Sequence, residues 1–123
     1  EVTIASNIAE FYKIDIKGNT LQLTHNQAGT ISLFVAKGEA ILIELEGGES
    51  LELEAKETTK TIFTGSGDLS RSLIIPSYII EDKDLALLSS FQVEGITFKG
   101  VKTIIKNKRR KAKLMSLAAC NIK

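Results

Sequence analysis

The chain has 123 residues, with 16 Lys and Arg against 15 Asp and Glu, so the formal net charge is +1 with the single histidine neutral; 43% of residues are hydrophobic. This composition excludes disorder, which needs low hydrophobicity and high net charge. The length suffices to bury about two-thirds of the unfolded surface without disulfide or metal support, and no apolar run approaches the roughly 20 residues of a membrane-spanning helix.

The dominant period is two. Tyr12, Ile14 and Ile16 alternate with Lys13, Asp15 and Lys17, and after Gly18-Asn19 the alternation resumes with Leu21 and Leu23. A two-residue loop at Gly18-Asn19 places Ile16 opposite Leu21 and Ile14 opposite Leu23, with all four side chains on one face. The next strand is expected over 30–36, with Ile31, Leu33 and Val35 pointing one way. Beyond Lys37-Gly38-Glu39, strands over 40–46 and 49–55 put Ile41, Ile43, Leu45, Leu51 and Leu53 on one face and Glu44, Glu46, Glu52 and Glu54 on the other. A two-residue Gly47-Gly48 loop would mix these faces. The spacing therefore predicts a bulged three-residue turn with Glu46 opposite Ser50, or two strands that do not pair directly.

Strands over 61–64 and 69–75 flank a loop at Gly65-Ser66-Gly67-Asp68, and Pro76 blocks ladder pairing at its own position. Residues 81–84 read as a turn or a single helical turn. Strands over 91–98 and 101–106 follow, separated by Gly100, with Gly95 placed to bulge the first. The tail over 109–123 reads two ways: as a helix with Leu114, Leu117, Ala118 and Ile122 on one face, or as a last strand. Eight or nine strands at spacings of roughly 8–12 residues indicate an all-β fold. The expectation is an antiparallel β-sandwich, immunoglobulin-like or jelly-roll-like, over 1–106, with a basic C-terminal extension over 107–123.

No catalytic constellation is legible. His25 follows a strand and reads as a turn or surface histidine. Cys120 sits in an apolar segment and reads as buried and inert. The Gly65–Asp68 loop lacks both the nucleophile-elbow pattern and the lysine and hydroxyl of a phosphate loop. No Cys and His set has zinc-ligand spacing. No catalytic residue, cofactor, metal or small-molecule substrate is therefore expected, and the chain is read as not an enzyme.

The charge distribution is uneven. Residues 1–94 hold 15 acids and 7 bases, a net of −8, while residues 95–123 hold 9 bases and no acid. The positive block centres on Lys106, Lys108, Arg109, Arg110, Lys111 and Lys113. Glutamates directly opposite one another cost stability, so a positive group is expected near them. The basic block has three readings: it packs along the glutamate stripe of its own chain, it meets the acidic face of another copy head to tail, or it neutralises nucleic-acid phosphates. A membrane surface is the least favoured partner.

Residues 19–24, the polar turn at 26–29 and residues 30–33 look like the opening strands of immunoglobulin-like modules in bacteriophage baseplate and tail-accessory proteins. Residues 49–56 resemble their next strand, and 72–76 followed by 81–85 resemble a later strand and short turn. Two features depart from that pattern: Ala28-Gly29 stands where Gly-Asp is usual, and the basic block has no counterpart. The resemblance implies a non-enzymatic module that joins virion subunits.

The expected function is thus a structural assembly module of a virion, appendage or surface assembly, with protein subunits as partners and a homo-oligomer or larger assembly as its state. Its contacts are expected through Glu44, Glu46, Glu52 and Glu54 on one side and Lys108, Arg109, Arg110, Lys111 and Lys113 on the other. The alternative is a nucleic-acid-binding β-domain using residues 99–113.

Overall fold

The computed structural model describes residues 1–6 and 10–122; positions 7–9 of the expected 1–106 domain and position 123 of the basic segment lie outside the described residues. Alternating apolar and polar residues build β1 (Val2–Ser6), β2 (Glu10–Lys17), β3 (Thr20–Ala28), β4 (Phe34–Val35), β5 (Ala40–Leu45), β6 (Ser50–Glu54), β7 (Thr59–Lys60), β8 (Ile62–Thr64), β9 (Arg71–Ile74) and β10 (Ser77–Ile79). They are followed by α1 (Asp82–Ser90), β11 (Val93–Phe98), β12 (Val101–Ile104) and α2 (Lys108–Cys120). The fold is β-rich, with antiparallel sheets and two short helices.

One sheet runs β1-β2-β3-β9-β8, with β10 also on β3; a second runs β12-β11-β5-β6; and β4 pairs with β7. The β2–β3 hairpin has the expected register, Ile16 opposite Leu21 and Ile14 opposite Leu23. Gly18 turns it at φ 58°, a conformation that costs glycine little. Pro76 separates β9 from β10, and both pair with β3. The two sheets meet where Ala55 bridges Tyr78 and the Lys56 N–H donates to the Ser77 carbonyl at 2.8 Å.

The inward faces of both sheets and both helices share one core, which includes Ile14, Leu23, Ile43, Leu53, Ile96, Leu85 and Ala118. Each large aliphatic side chain buried this way contributes about 1.5–3 kcal/mol of transfer free energy. On β11 the register against β5 shifts between Val93 and Gly95. The extra residue changes the phase of the strand, so Val93, Ile96 and Phe98 are all buried despite their mixed parity.

Three expectations need correction, and one left open is decided. The β5–β6 strands do pair, through a three-residue turn, but the turn is Glu46–Gly48 and Glu44 lies opposite Ser50, so Glu46 belongs to the turn rather than the strand. Gly47 and Gly48 both take positive φ (78° and 85°), which lets the chain reverse one residue earlier than the glutamate pattern suggests. Residues 30–36 form a strand only at Phe34–Val35. The Ile31 N–H donates to Ser72 Oγ and the Leu33 N–H to Thr61 Oγ1, both at 2.7 Å, so side chains rather than a ladder satisfy these two N–H groups.

Residues 81–84 open a nine-residue helix, not a lone turn. The Glu81 N–H donates to Asp84 Oδ2 at 3.0 Å to close its N-terminus, and Leu85 and Leu88 bury its inner face. The ambiguous tail is helix α2, which packs on α1, β1, β2 and β11 and buries Leu114 and Ala118. Asn107 starts it, accepting from the Arg109 and Arg110 N–H groups at 2.9 and 3.1 Å. Asn121 ends it: its Nδ2 donates to the Ile16 and Leu117 carbonyls, and its Oδ1 accepts from the Gly18 N–H at 2.8 Å. The helix is thereby tied to the β2–β3 hairpin.

Candidate interaction surface

The alternation of β5 and β6 turns Glu44, Glu52 and Glu54 onto the outer face of the four-stranded sheet, while Ile43, Leu51 and Leu53 face inward. The nine expected contact residues then separate by whether a partner is already within reach. Lys102 on β12 extends across Gly95 to Glu44 on β5, with Nζ 2.8 Å from Oε2. Glu46 accepts from the Gln92 N–H at 3.0 Å and closes the turn. Lys111 meets Glu94 at 3.1 Å, with its side chain largely buried. These three expected contact residues, Glu44, Glu46 and Lys111, are therefore engaged inside the chain.

The remaining six are not. Glu52 and Glu54 are exposed, and Lys108, Arg109, Arg110 and Lys113 make no side-chain hydrogen bond or ion pair among the described residues. Lys106 joins them as a further exposed, unpartnered cation. The basic block thus packs against its own acidic residues only in part. In the strand order β12-β11-β5-β6, the chain leaves β12 toward α2 at one edge, whereas Glu52 and Glu54 sit on the opposite edge strand. Three strand spacings of about 4.8 Å separate β12 from β6.

The electrostatics of α2 sharpen the contrast. Lys108, Arg109, Arg110 and Lys111 occupy its first turn, with no acidic residue there. A helix N-terminus already carries the positive end of the backbone dipole, so each cation costs roughly 0.3–1 kcal/mol at that place unless an anion offsets it. At the other edge, Glu52 and Glu54 share a shallow depression with Glu81, Lys83 and Asp84. Lys83 pairs with Glu81 at 3.5 Å, which leaves this patch net acidic.

Two single residues also differ from expectation. His25 is no surface histidine: it is 4% exposed on β3, stacked on Tyr12 with ring centroids 4.5 Å apart and edge-on to Phe98 at 5.8 Å. It continues the inward parity of Leu21 and Leu23, a signal present in the sequence. Its Nε2 lies 3.1 Å from Glu10 Oε1. Burial lowers its pKa below the ordinary 6.5, and the hydrogen bond and charge of Glu10 oppose that shift. Burial also raises the Tyr12 phenol, with Glu10 adding to the effect. Cys120 is exposed, not buried. On α2 it lies two positions past Ala118, on the side turned from the core.

Among the described residues, no group of three or more His, Cys, Asp or Glu side chains is arranged to hold a metal ion. No family model, curated protein or solved structure matches the chain.

Proposed function

We propose that this chain is a non-enzymatic assembly module, a β-sandwich subunit of a virion, appendage or comparable surface structure. In this reading it joins neighbouring subunits through the basic start of α2 and the acidic edge at β6. One observation carries it: the cations Lys106, Lys108, Arg109, Arg110 and Lys113, at the start of α2, and the glutamates Glu52 and Glu54, on the edge strand β6, are unpartnered among the described residues. Patches of opposite sign that make no ion pair within one copy are complementary between copies, which makes a heterologous, head-to-tail contact. The resemblance of residues 19–33, 49–56 and 72–85 to the sequence pattern of phage immunoglobulin-like modules supports the same class.

Sedimentation at low and high salt tests the proposal. Association is expected at low salt and is lost as salt rises. The Arg109→Glu, Arg110→Glu pair and the Glu52→Lys, Glu54→Lys pair should each weaken it about tenfold or more, and mixing the two variants should restore it. A chain that stays monomeric at low salt over a wide concentration range, or variants that associate like the parent, would overturn it.

The same five cations also suit a polyanion, which keeps a nucleic-acid reading open. It predicts retention of nucleic acid in a low-salt gel shift, with an affinity that falls steeply with salt and equally for all sequences. No retention at low salt ends that reading.

A further inference from the structure

The edge of the other sheet raises a different question. Strand β8 is last in the order β1-β2-β3-β9-β8, and no strand pairs with its far side among the described residues. Its backbone therefore presents unpaired N–H and C=O groups. In a half-buried strand one face is covered. Here Ile62 is 58% exposed, Phe63 is 52% exposed and Thr64 is exposed too, so both faces of β8 are open. Leu69, in the loop that leads to β9, is exposed as well.

Free edges are ordinarily guarded by a charge, a proline or a cover. Residues 61–67 contain no charge and no proline. Strand β12, also an edge, is different. Its exposed Val101 and Ile104 flank Lys102, with Lys106 following, so pairing β12 with itself would bring like charges together.

We infer that β8 is a self-association edge, at which a second copy of this chain adds its own β8 antiparallel across a two-fold axis. Charge selects that occupant. Lys60 precedes the uncharged stretch and Asp68 follows it, and neither makes a side-chain bond or ion pair within the chain among the described residues. Antiparallel self-pairing brings the Lys60 end of each copy beside the Asp68 end of the other and sets Phe63 next to its own counterpart. The contact is isologous and closes as a dimer. Backbone bonds and apolar area hold it, and Lys60 and Asp68 set its antiparallel direction, so salt weakens it far less than a contact made by charge alone. This distinguishes it from the head-to-tail contact proposed above.

Sedimentation velocity of the whole chain at high salt, where charge-driven association is suppressed, tests the inference. The expected result is a monomer–dimer equilibrium that Phe63→Lys weakens at least about tenfold and Val101→Lys leaves unchanged. Amide exchange at residues 62–64 should slow as concentration rises, and circular dichroism should show Phe63→Lys folded. If Phe63→Lys unfolds the chain, the exchange result on the parent decides. A monomer throughout at high salt, a dimer broken by Val101→Lys instead, or exchange at 62–64 independent of concentration would overturn it. Loss of association on raising salt together with a high-salt monomer would sink the β8 dimer and leave the head-to-tail contact standing.

Discussion

Lys102 and Glu44 pair across an intervening strand, and Gly95 makes this possible. The lysine Nζ sits 2.8 Å from Glu44 Oε2, while a Cβ built on Gly95 would lie 3.2 Å from Lys102 Cε and 3.2 Å from the Thr103 carbonyl oxygen. The missing side chain at Gly95 is the channel along which the lysine runs. The contact joins the strand that leads into the basic segment to the centre of the acidic sheet.

The pair and its channel are expected to differ in energetic weight. Both side chains are a third to a half exposed, so Lys102→Met should cost under about 1 kcal/mol. Gly95→Val crowds backbone as well as side chain and should cost about 1–3 kcal/mol. Urea denaturation of the two variants measures the contrast; equal costs would contradict the account of Gly95.

Asn121 is expected to matter more than its place near the chain end suggests. It makes three hydrogen bonds, two of them to the turn of the β2–β3 hairpin at Ile16 and Gly18. Asn121→Ala should destabilise by about 1–3 kcal/mol and should speed amide exchange at Gly18 and in the last turn of α2. Unchanged exchange at Gly18 would show that the clamp does not hold.

The buried imidazole predicts a pH response with a definite sign. His25 titrates near 6.5 when unfolded and lower when folded, because burial disfavours its charged form more than Glu10 restores it. Between those values the unfolded chain binds more protons. Its contribution to stability is thus complete above the unfolded value and is lost as pH falls toward the folded one. Denaturation at about pH 7.5 and about pH 5.5 should show the parent losing stability while His25→Phe changes less. An equal slope in both would exclude His25 as the source.

Cys120 should react as an exposed thiol. A chromogenic disulfide reagent is expected to titrate one thiol in the folded chain without denaturant, at a rate close to that of the unfolded chain. A lag until unfolding would place the thiol inside.

The sequence by itself determined the strands whose period and turn chemistry agree. The Gly18-Asn19 loop, the alternation through Leu23 and the apolar faces of β5 and β6 are local, and a one-residue slip there would turn every apolar side chain outward. It also determined the division of charge along the chain, since that needs only counting. The tertiary structure decided what counting cannot: which charges meet. Lys102 finds Glu44 and Lys111 finds Glu94 because strand order and the docking of α2 bring them together, and Glu52 and Glu54 stay unpartnered because β6 lies at the far edge. It likewise decided that the tail is a helix and that residues 30–33 leave the ladder. Helix propensity and apolar spacing suited a helix but left a last strand open, and the choice fell to burial against α1, β1 and β2. Such contacts join residues far apart in the chain, where no local pattern records them.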